Sequence, residues 1–345
     1  MYVENMYYLK SFYIILSLSF SLELLRAQNL NMTTKTRLNE SKELLANDEQ
    51  ITRRVVNGVE ARLGQVPFYV ALKTRTWLRG VFYYYTFCGG TLVAPAKIIT
   101  AAHCFTTSQR ICEYQSVTAV SLSDKFAVMG HLTNLVKYSP KMKNKGQWRE
   151  LKNFTYHSSY QFPFNDVAIL FTTKPFELNQ HVNIINYARR HKEYTGHCTV
   201  AGMGITEHKT LSQKLLIAPV EVIGTNDCKK WMSRAGRSRN YEQKNIHKLI
   251  CSTTYKTGIG KGDSGGPLFC SHTGEEGESS FGILVGIVSG FSLNLGKDNI
   301  AFFAKTSHYK DYIDRNVARP MMQHTFYSIH IVTSIGTLIF RQCFL

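Results

Sequence analysis

A chain of 345 residues, 44% of them apolar, is long enough to bury a sizeable core, which excludes a disordered or fibrous protein. Lysine and arginine total 41 against 24 aspartates and glutamates, a formal charge of +17, and eight cysteines are too few for a disulfide-dense miniprotein. No run of about 20 residues is apolar without polar interruption, which excludes a polytopic membrane protein, and the cysteines ask for an oxidising compartment. In chain order, residues 1–27 read as a secretory signal. Lys10 precedes the apolar stretch Ser11–Leu22, and Leu25-Arg26-Ala27 offers a cleavage site. Residues 28–54 read as a propeptide without a core of its own, free of Gly, Pro, Cys and aromatics. It carries two N-glycosylation sequons, at Asn31 and Asn39, and ends in Arg53-Arg54, a target for a protease that cuts after basic residues.

At Val55-Val56-Asn57-Gly58 the composition changes. From there to Val317 short β-like runs spaced by Gly, Asn, Pro and Ser predominate: Phe68–Leu72, Val81–Tyr85, Lys97–Thr100, Ala168–Phe171, Thr199–Gly202, Pro219–Ile223 and Ile283–Val288. Many short strands between turn residues predict an all-β sandwich or barrels. One helical pattern closes the domain, Ser307–Val317, with Tyr309, Tyr312, Ile313, Asn316 and Val317 on one face and Ser307 as its N-cap. A tail, residues 321–345, is mostly apolar from Phe326 to Phe340 and has no assigned role. Three strings carry chemistry: Thr100-Ala-Ala-His103-Cys104, preceded by Cys88-Gly-Gly; Asn165-Asp166-Val-Ala-Ile-Leu; and Gly262-Asp263-Ser264-Gly265-Gly266-Pro267. A serine hydroxyl is a weak nucleophile and needs an adjacent imidazole to take its proton; a carboxylate can hold that imidazole in the right tautomer. Singly, each residue reads as readily as a packed histidine, a turn cap and a permissive glycine loop. In this order, with these cysteines, the three are highly specific.

On these strings the stretch from Val55 to about Val317 resembles the trypsin/chymotrypsin family of serine endopeptidases. The resemblance implies an all-β fold of two antiparallel six-stranded β-barrels with the active site between them and a C-terminal α-helix, over a domain of residues 55–320. It implies His103, Asp166 and Ser264 as the catalytic residues and the N–H groups of Gly262 and Ser264 as the oxyanion hole. It also implies activation by cutting after Arg54, the freed Val55 amine pairing with Asp263 to order the oxyanion loop. The disulfides Cys88–Cys104, Cys198–Cys270 and Cys228–Cys251 rest on the same resemblance, since spacing alone leaves the pairing open. Cys112 and Cys343 have no partner in the family pattern.

The departures bear on specificity. The position six before Ser264, an aspartate in trypsin-like enzymes, is Gly258, and no acid lies between Thr253 and Gly262. The usual pocket cysteine is Gly260. Ser289-Gly290-Phe291 stands where the family has Ser-Trp-Gly, and Ala301, Phe302 and Phe303 make the opposite wall apolar. Together Gly258, Ser289, Phe291 and Ala301 predict a hydrophobic, non-tryptic pocket, with Phe291 either protruding into it or turned away. No cofactor is expected, and no metal: the segment between His103 and Asp166, read as a loop longer than typical for the family, carries Lys137, Lys141, Lys143, Lys145 and Arg149 rather than acid ligands. With Lys229, Lys230, Arg234, Arg237, Arg239 and Lys244 these cations suit an acidic polysaccharide, protein or membrane surface, or are solvated loops. Nucleic acid is not expected of a secreted chain. Asn153-Phe-Thr is a third sequon. Two functions stand side by side: a secreted zymogen hydrolysing peptide bonds in proteins or peptides, and a protease homologue of little activity that regulates by binding.

Overall fold

The computed structural model describes residues 58–111, 114–139, 141–142, 145–205, 210–234, 244–253, 259–292 and 300–316. The leader, the propeptide with Asn31 and Asn39, Arg54, Val55, Cys112, Gly258, Cys343 and the tail lie outside the described residues.

Apolar runs and stretches of apolar–polar alternation build strands β2 (Tyr69–Leu78), β3 (Val81–Ala94), β4 (Lys97–Thr100), β7 (Lys125–Met129), β9 (Gln147–Tyr156) and β10 (Ala168–Thr172). They pair in the order β2-β7-β9-β10-β4-β3, and β2 also pairs with β3, which closes a six-stranded antiparallel barrel. A short β8 (Val136–Lys137) is added on the outside of β3. The second barrel closes the same way, in the order β12-β11-β14-β15-β16-β13 with β12 pairing back to β13. Its strands are β11 (Gly196–Gly202), β12 (Leu216–Ile223), β13 (Leu249–Thr253), β14 (Pro267–Cys270), β15 (Ile283–Ser292) and β16 (Ile300–Lys305), with β1 (Val59–Glu60) laid on β12. Closure leaves neither barrel an open edge to template aggregation. The fold is the expected pair of antiparallel six-stranded barrels.

Two expectations need correction. The long stretch between His103 and Asp166 is not a loop: it supplies β7, β8 and β9 and a separate hairpin of β5 (Thr106–Ile111) and β6 (Tyr114–Ala119). The closing helix is shorter than its pattern, Lys310–Arg315, preceded by a single 3-10 turn at Thr306–His308. Ser307 does not cap it; the residue is buried in that turn and its hydroxyl has no hydrogen-bond partner among the described residues. Burial of Tyr309 and Ile313 against the barrels, rather than a cap, holds this helix. A second helix, Thr225–Arg234, turns Cys228, Trp231 and Met232 inward at helical spacing and leaves Lys229 and Lys230 exposed.

Each barrel has its own apolar filling, and a third cluster joins Phe68, Ile99, Val128 and Ile169 of the first to Met203, Leu284, Ile287 and Ala304 of the second. A buried polar seam runs beside it. Asn134 donates through Nδ2 to the carbonyls of Met203 and Ser212, both at 2.8 Å. Lys73, 0% exposed, donates to Thr86 Oγ1 at 2.9 Å, to the Thr133 carbonyl at 3.0 Å and to the Asn134 carbonyl. Burial lowers its pKa to about 7, because no carboxylate offsets the lost hydration.

Candidate active site

The three motif strings meet where the barrels face each other. His103 sits in a single 3-10 turn, Ala102–Cys104, between β4 and β5. Ala101 and Ala102, both fully buried, let that turn lie flat on the core, and the Cys88–Cys104 disulfide ties it to β3. The other implied disulfides, Cys198–Cys270 and Cys228–Cys251, are also formed.

Asp166 is fully buried and receives three donors. The His103 backbone N–H reaches Oδ1 at 2.9 Å, His103 Nδ1 lies 2.7 Å from Oδ2, and the Ser289 hydroxyl reaches Oδ2 at 2.5 Å. A carboxylate that accepts the Nδ1 proton leaves Nε2 of the same ring free to accept another. Burial on its own depresses the His103 pKa; the charge of Asp166 and its hydrogen bond more than reverse this, and the net shift is upward. Asp166 is aimed by the residue before it. Asn165 takes a left-handed backbone (φ 54°), and its N–H donates to Tyr309 Oη at 3.1 Å while Nδ2 holds the Ser159 carbonyl at 2.7 Å. The closing helix thus buttresses the turn that carries Asp166.

Ser264 is half-buried on the loop before β14, and that loop is fastened to the His103 side. The Gly89 N–H donates to the Ser264 carbonyl at 2.7 Å, and Thr100 Oγ1 donates to the Gly89 carbonyl at 2.8 Å. Gly265, at φ +77°, lies so close that a Cβ there would stand 2.1 Å from Thr100 Oγ1. Only glycine meets both conditions. The N–H groups of Gly262 and Ser264 donate to no acceptor among the described residues, which leaves both available to a ligand.

Asp263 points away from the nucleophile loop into the second barrel. It is 1% exposed and accepts the N–H groups of Gly204 (Oδ1) and Gly260 (Oδ2), each at 2.8 Å. Burial raises its pKa to about 7, against the lowering effect of those two donors. Nearby Tyr69, whose own pKa is pushed up by burial and by the Asp263 charge, has a buried hydroxyl without a hydrogen-bond partner among the described residues.

Of the pocket residues, Ala301 is fully buried in β16, opposite Phe291 in register, and Gly258 lies outside the described residues. Ser289 serves Asp166 as well as the pocket strand, a role its sequence position did not reveal. Phe162 was missed altogether. Its exposed ring stands edge-on to His103 with centroids 5.7 Å apart, over Gly290, where a Cβ would come within 2.8 Å of Phe162 Cζ. No motif flags it; its only signal is an aromatic four residues before Asp166. Asn153 lies within β9, half-buried and paired with Phe171, rather than on the exposed loop a sequon suggests. Cys88, His103 and Cys104 bring three potential metal-ligand atoms together, but both sulfurs are consumed in their disulfide.

Two closed barrels with an imidazole clamped by a buried carboxylate beside a Gly-Asp-Ser-Gly loop are the architecture of a chymotrypsin-like protease. The sequence profile of the family named Trypsin matches residues 55–313, and the chain belongs to that family of serine proteases. Among similar proteins, Serine protease SSP1 of Scolopendra subspinipes is 28% identical over 81% of this chain and 87% of its own length. Phenoloxidase-activating factor 3 of Holotrichia diomphalia is 30% identical over 76% of this chain and 72% of its own. Ovochymase of Halocynthia roretzi is 24% identical over 77% of this chain, which corresponds to 15% of that longer protein. No helix among the described residues is long and apolar enough to cross a membrane.

Proposed function

We propose that this protein is a secreted serine endopeptidase, made as a zymogen, that cleaves peptide bonds of protein substrates through an acyl-enzyme. The observation that carries this reading is the double clamp of Asp166 on His103, with the Ser264 loop fastened through Gly89 of β3 and Thr100 of β4, the strand that leads into the His103 turn. Ser264 Oγ attacks the scissile carbonyl while His103 Nε2 takes its proton. Asp166 holds the ring by Nδ1 and stabilises the imidazolium. The N–H groups of Gly262 and Ser264 receive the oxyanion, each such donor contributing about 3 kcal/mol to the transition state. His103 then protonates the leaving amine, and water repeats the sequence on the ester.

Activation follows a cut after Arg54 by another protease, and the Val55 amine pairs with Asp263. The reading is supported by the setting of that carboxylate, buried, held by two neutral N–H groups and pushed up to about 7 by burial. The pocket is apolar and not selective for Lys or Arg, as Gly258 and the buried Ala301 suggest. Secretion accords with the leader over residues 1–27 and with three disulfides. One relative is named as a factor that activates phenoloxidase, and a protein substrate is in keeping with that name.

A fluorophosphonate probe tests the reading. After cleavage at Arg54, Ser264 is labelled, and His103→Ala abolishes labelling. A folded, cleaved product that takes no label sinks it and makes the chain a binding homologue.

A further inference from the structure

The first barrel carries an apolar surface that the catalytic reading does not use. Strands β2 and β3 run on past it as a free ribbon. β2 pairs with β7 only as far as Thr74, and β3 pairs with β8 only as far as Tyr83, with the Phe82 carbonyl still accepting the Tyr138 N–H at 2.9 Å; from there to the turn the ladder is that of β2 with β3. The turn, Arg79-Gly80, has positive φ at both positions (48° and 77°), the geometry of a tight type I′ hairpin that matches strand twist.

The face of this ribbon that continues the core leaves the barrel uncovered. Opposed pairs along it are Lys73 with Thr86, Arg75 with Tyr84, and Trp77 with Phe82. The first pair is buried, and Tyr84 packs on Phe126 and Trp148. Trp77 (59% exposed) and Phe82 (39%) stack edge-to-face at 4.4 Å on this face, Tyr138 (52%) is joined to Phe82 through the backbone, and Leu78 (46%) is exposed on the opposite face beside the turn. Between Arg62 and Arg149 the sole carboxylates are Glu113 and Asp124, and Asp124 is already taken by Arg75 at 2.9 Å. Exposed Arg79 in the turn and Lys137 opposite Tyr83 put two cations at the apolar tip, while Glu150 lies farther back, opposite Phe126.

We propose that this hairpin tip docks on an anionic lipid surface, with Trp77, Leu78 and Phe82 entering the interfacial layer and Arg79 and Lys137 meeting the headgroups. Indole and aromatic rings favour the boundary between hydrocarbon and water, and basic residues beside them are drawn to anionic lipid. A bilayer yields to a convex tip, whereas a protein partner must supply a matching recess. The inference does not depend on whether Ser264 is catalytic.

The test is co-sedimentation of the full chain with phosphatidylcholine vesicles containing about one-third phosphatidylserine. Binding is expected, falling with salt as the Debye length shortens. Trp77→Ala with Leu78→Ser should weaken it at least about 10-fold and Arg79→Glu about 5-fold, on the interfacial and per-cation contributions. Trp77→Phe should retain it, as should Lys229→Ala with Lys230→Ala on the distant helix. Unchanged thermal melting checks each variant's fold. Full-strength binding by the Trp77/Leu78 variant, equal binding to pure phosphatidylcholine, or no binding by the natural chain would each overturn the proposal, the last even if an acidic protein is then found to bind.

Discussion

Two carboxylates in this molecule are almost equally buried and differently treated. Asp166, between the barrels, accepts a backbone N–H, an imidazole N–H and a hydroxyl. Asp263, on the loop before β14, accepts two backbone N–H groups and, among the described residues, no charged donor. One faces a group able to become a cation beside it; the other is pushed up to about 7. Burial by itself therefore says little about a carboxylate's state. The donors differ: Asp166 is met by an imidazole and a hydroxyl as well as a backbone N–H, Asp263 by two backbone N–H groups.

The largest test of this contrast is Asp166→Asn in the cleaved protein. It should lower kcat about 10⁴-fold, as in well-studied members of the family, by leaving His103 in the wrong tautomer. It should also lower the pH midpoint of activity. The imidazole must be neutral to accept a proton, so activity is lost as pH falls through the His103 pKa, and removing the Asp166 charge moves that loss to lower pH. A kcat and a midpoint both unchanged would mean that Asp166 does not govern the ring.

Asp263→Asn comes next, measured on the uncleaved chain. The folded pKa of Asp263 is raised from 3.8 to about 7, so its favourable contribution is complete below about pH 4 and is lost as pH rises through about 7. Denaturant melts should show the natural chain losing up to about 4 kcal/mol across that window from this group, and the variant losing none of it. The same variant should not gain activity after cleavage at Arg54. Identical pH slopes would erase the contrast.

Gly202→Ala probes the cradle. Its Cβ would fall 2.0 Å from Asp263 Oδ1, an overlap that a buried strand can relieve only by moving, at about 3 kcal/mol. A smaller effect is expected from Ser289→Ala, which takes one hydroxyl from Asp166. It should cost about 1.5–2 kcal/mol, roughly a 10-fold fall in kcat/KM, with little change in stability. Chemical denaturation and steady-state kinetics separate the two outcomes.

What was legible in advance was local or carried by short strings. The strands at Lys97–Thr100 and Ala168–Thr172 announce themselves because apolar, β-branched runs suit a pleated, buried surface. His103, Asp166, Ser264 and the cysteines stand in motifs whose residue types are dictated by chemistry. The closing helix was overlong in prospect because its final turn has few buried residues, and Ser307 was spent on the core instead of a cap. Ser289, Tyr309 and Phe162 stayed invisible as site residues. Each acts on a partner more than 50 residues away along the chain, or across a gap that only barrel closure removes.

The amino-acid order by itself determined an all-β class from its short strand runs, and its three motif strings carried the family resemblance from which two barrels and the roles of His103, Asp166 and Ser264 were expected. The tertiary structure decided which donors each buried carboxylate receives, which ring leans on His103, and that the Trp77 hairpin runs out uncovered. Those are matters of distance between remote segments, and packing, not spacing, sets such distances.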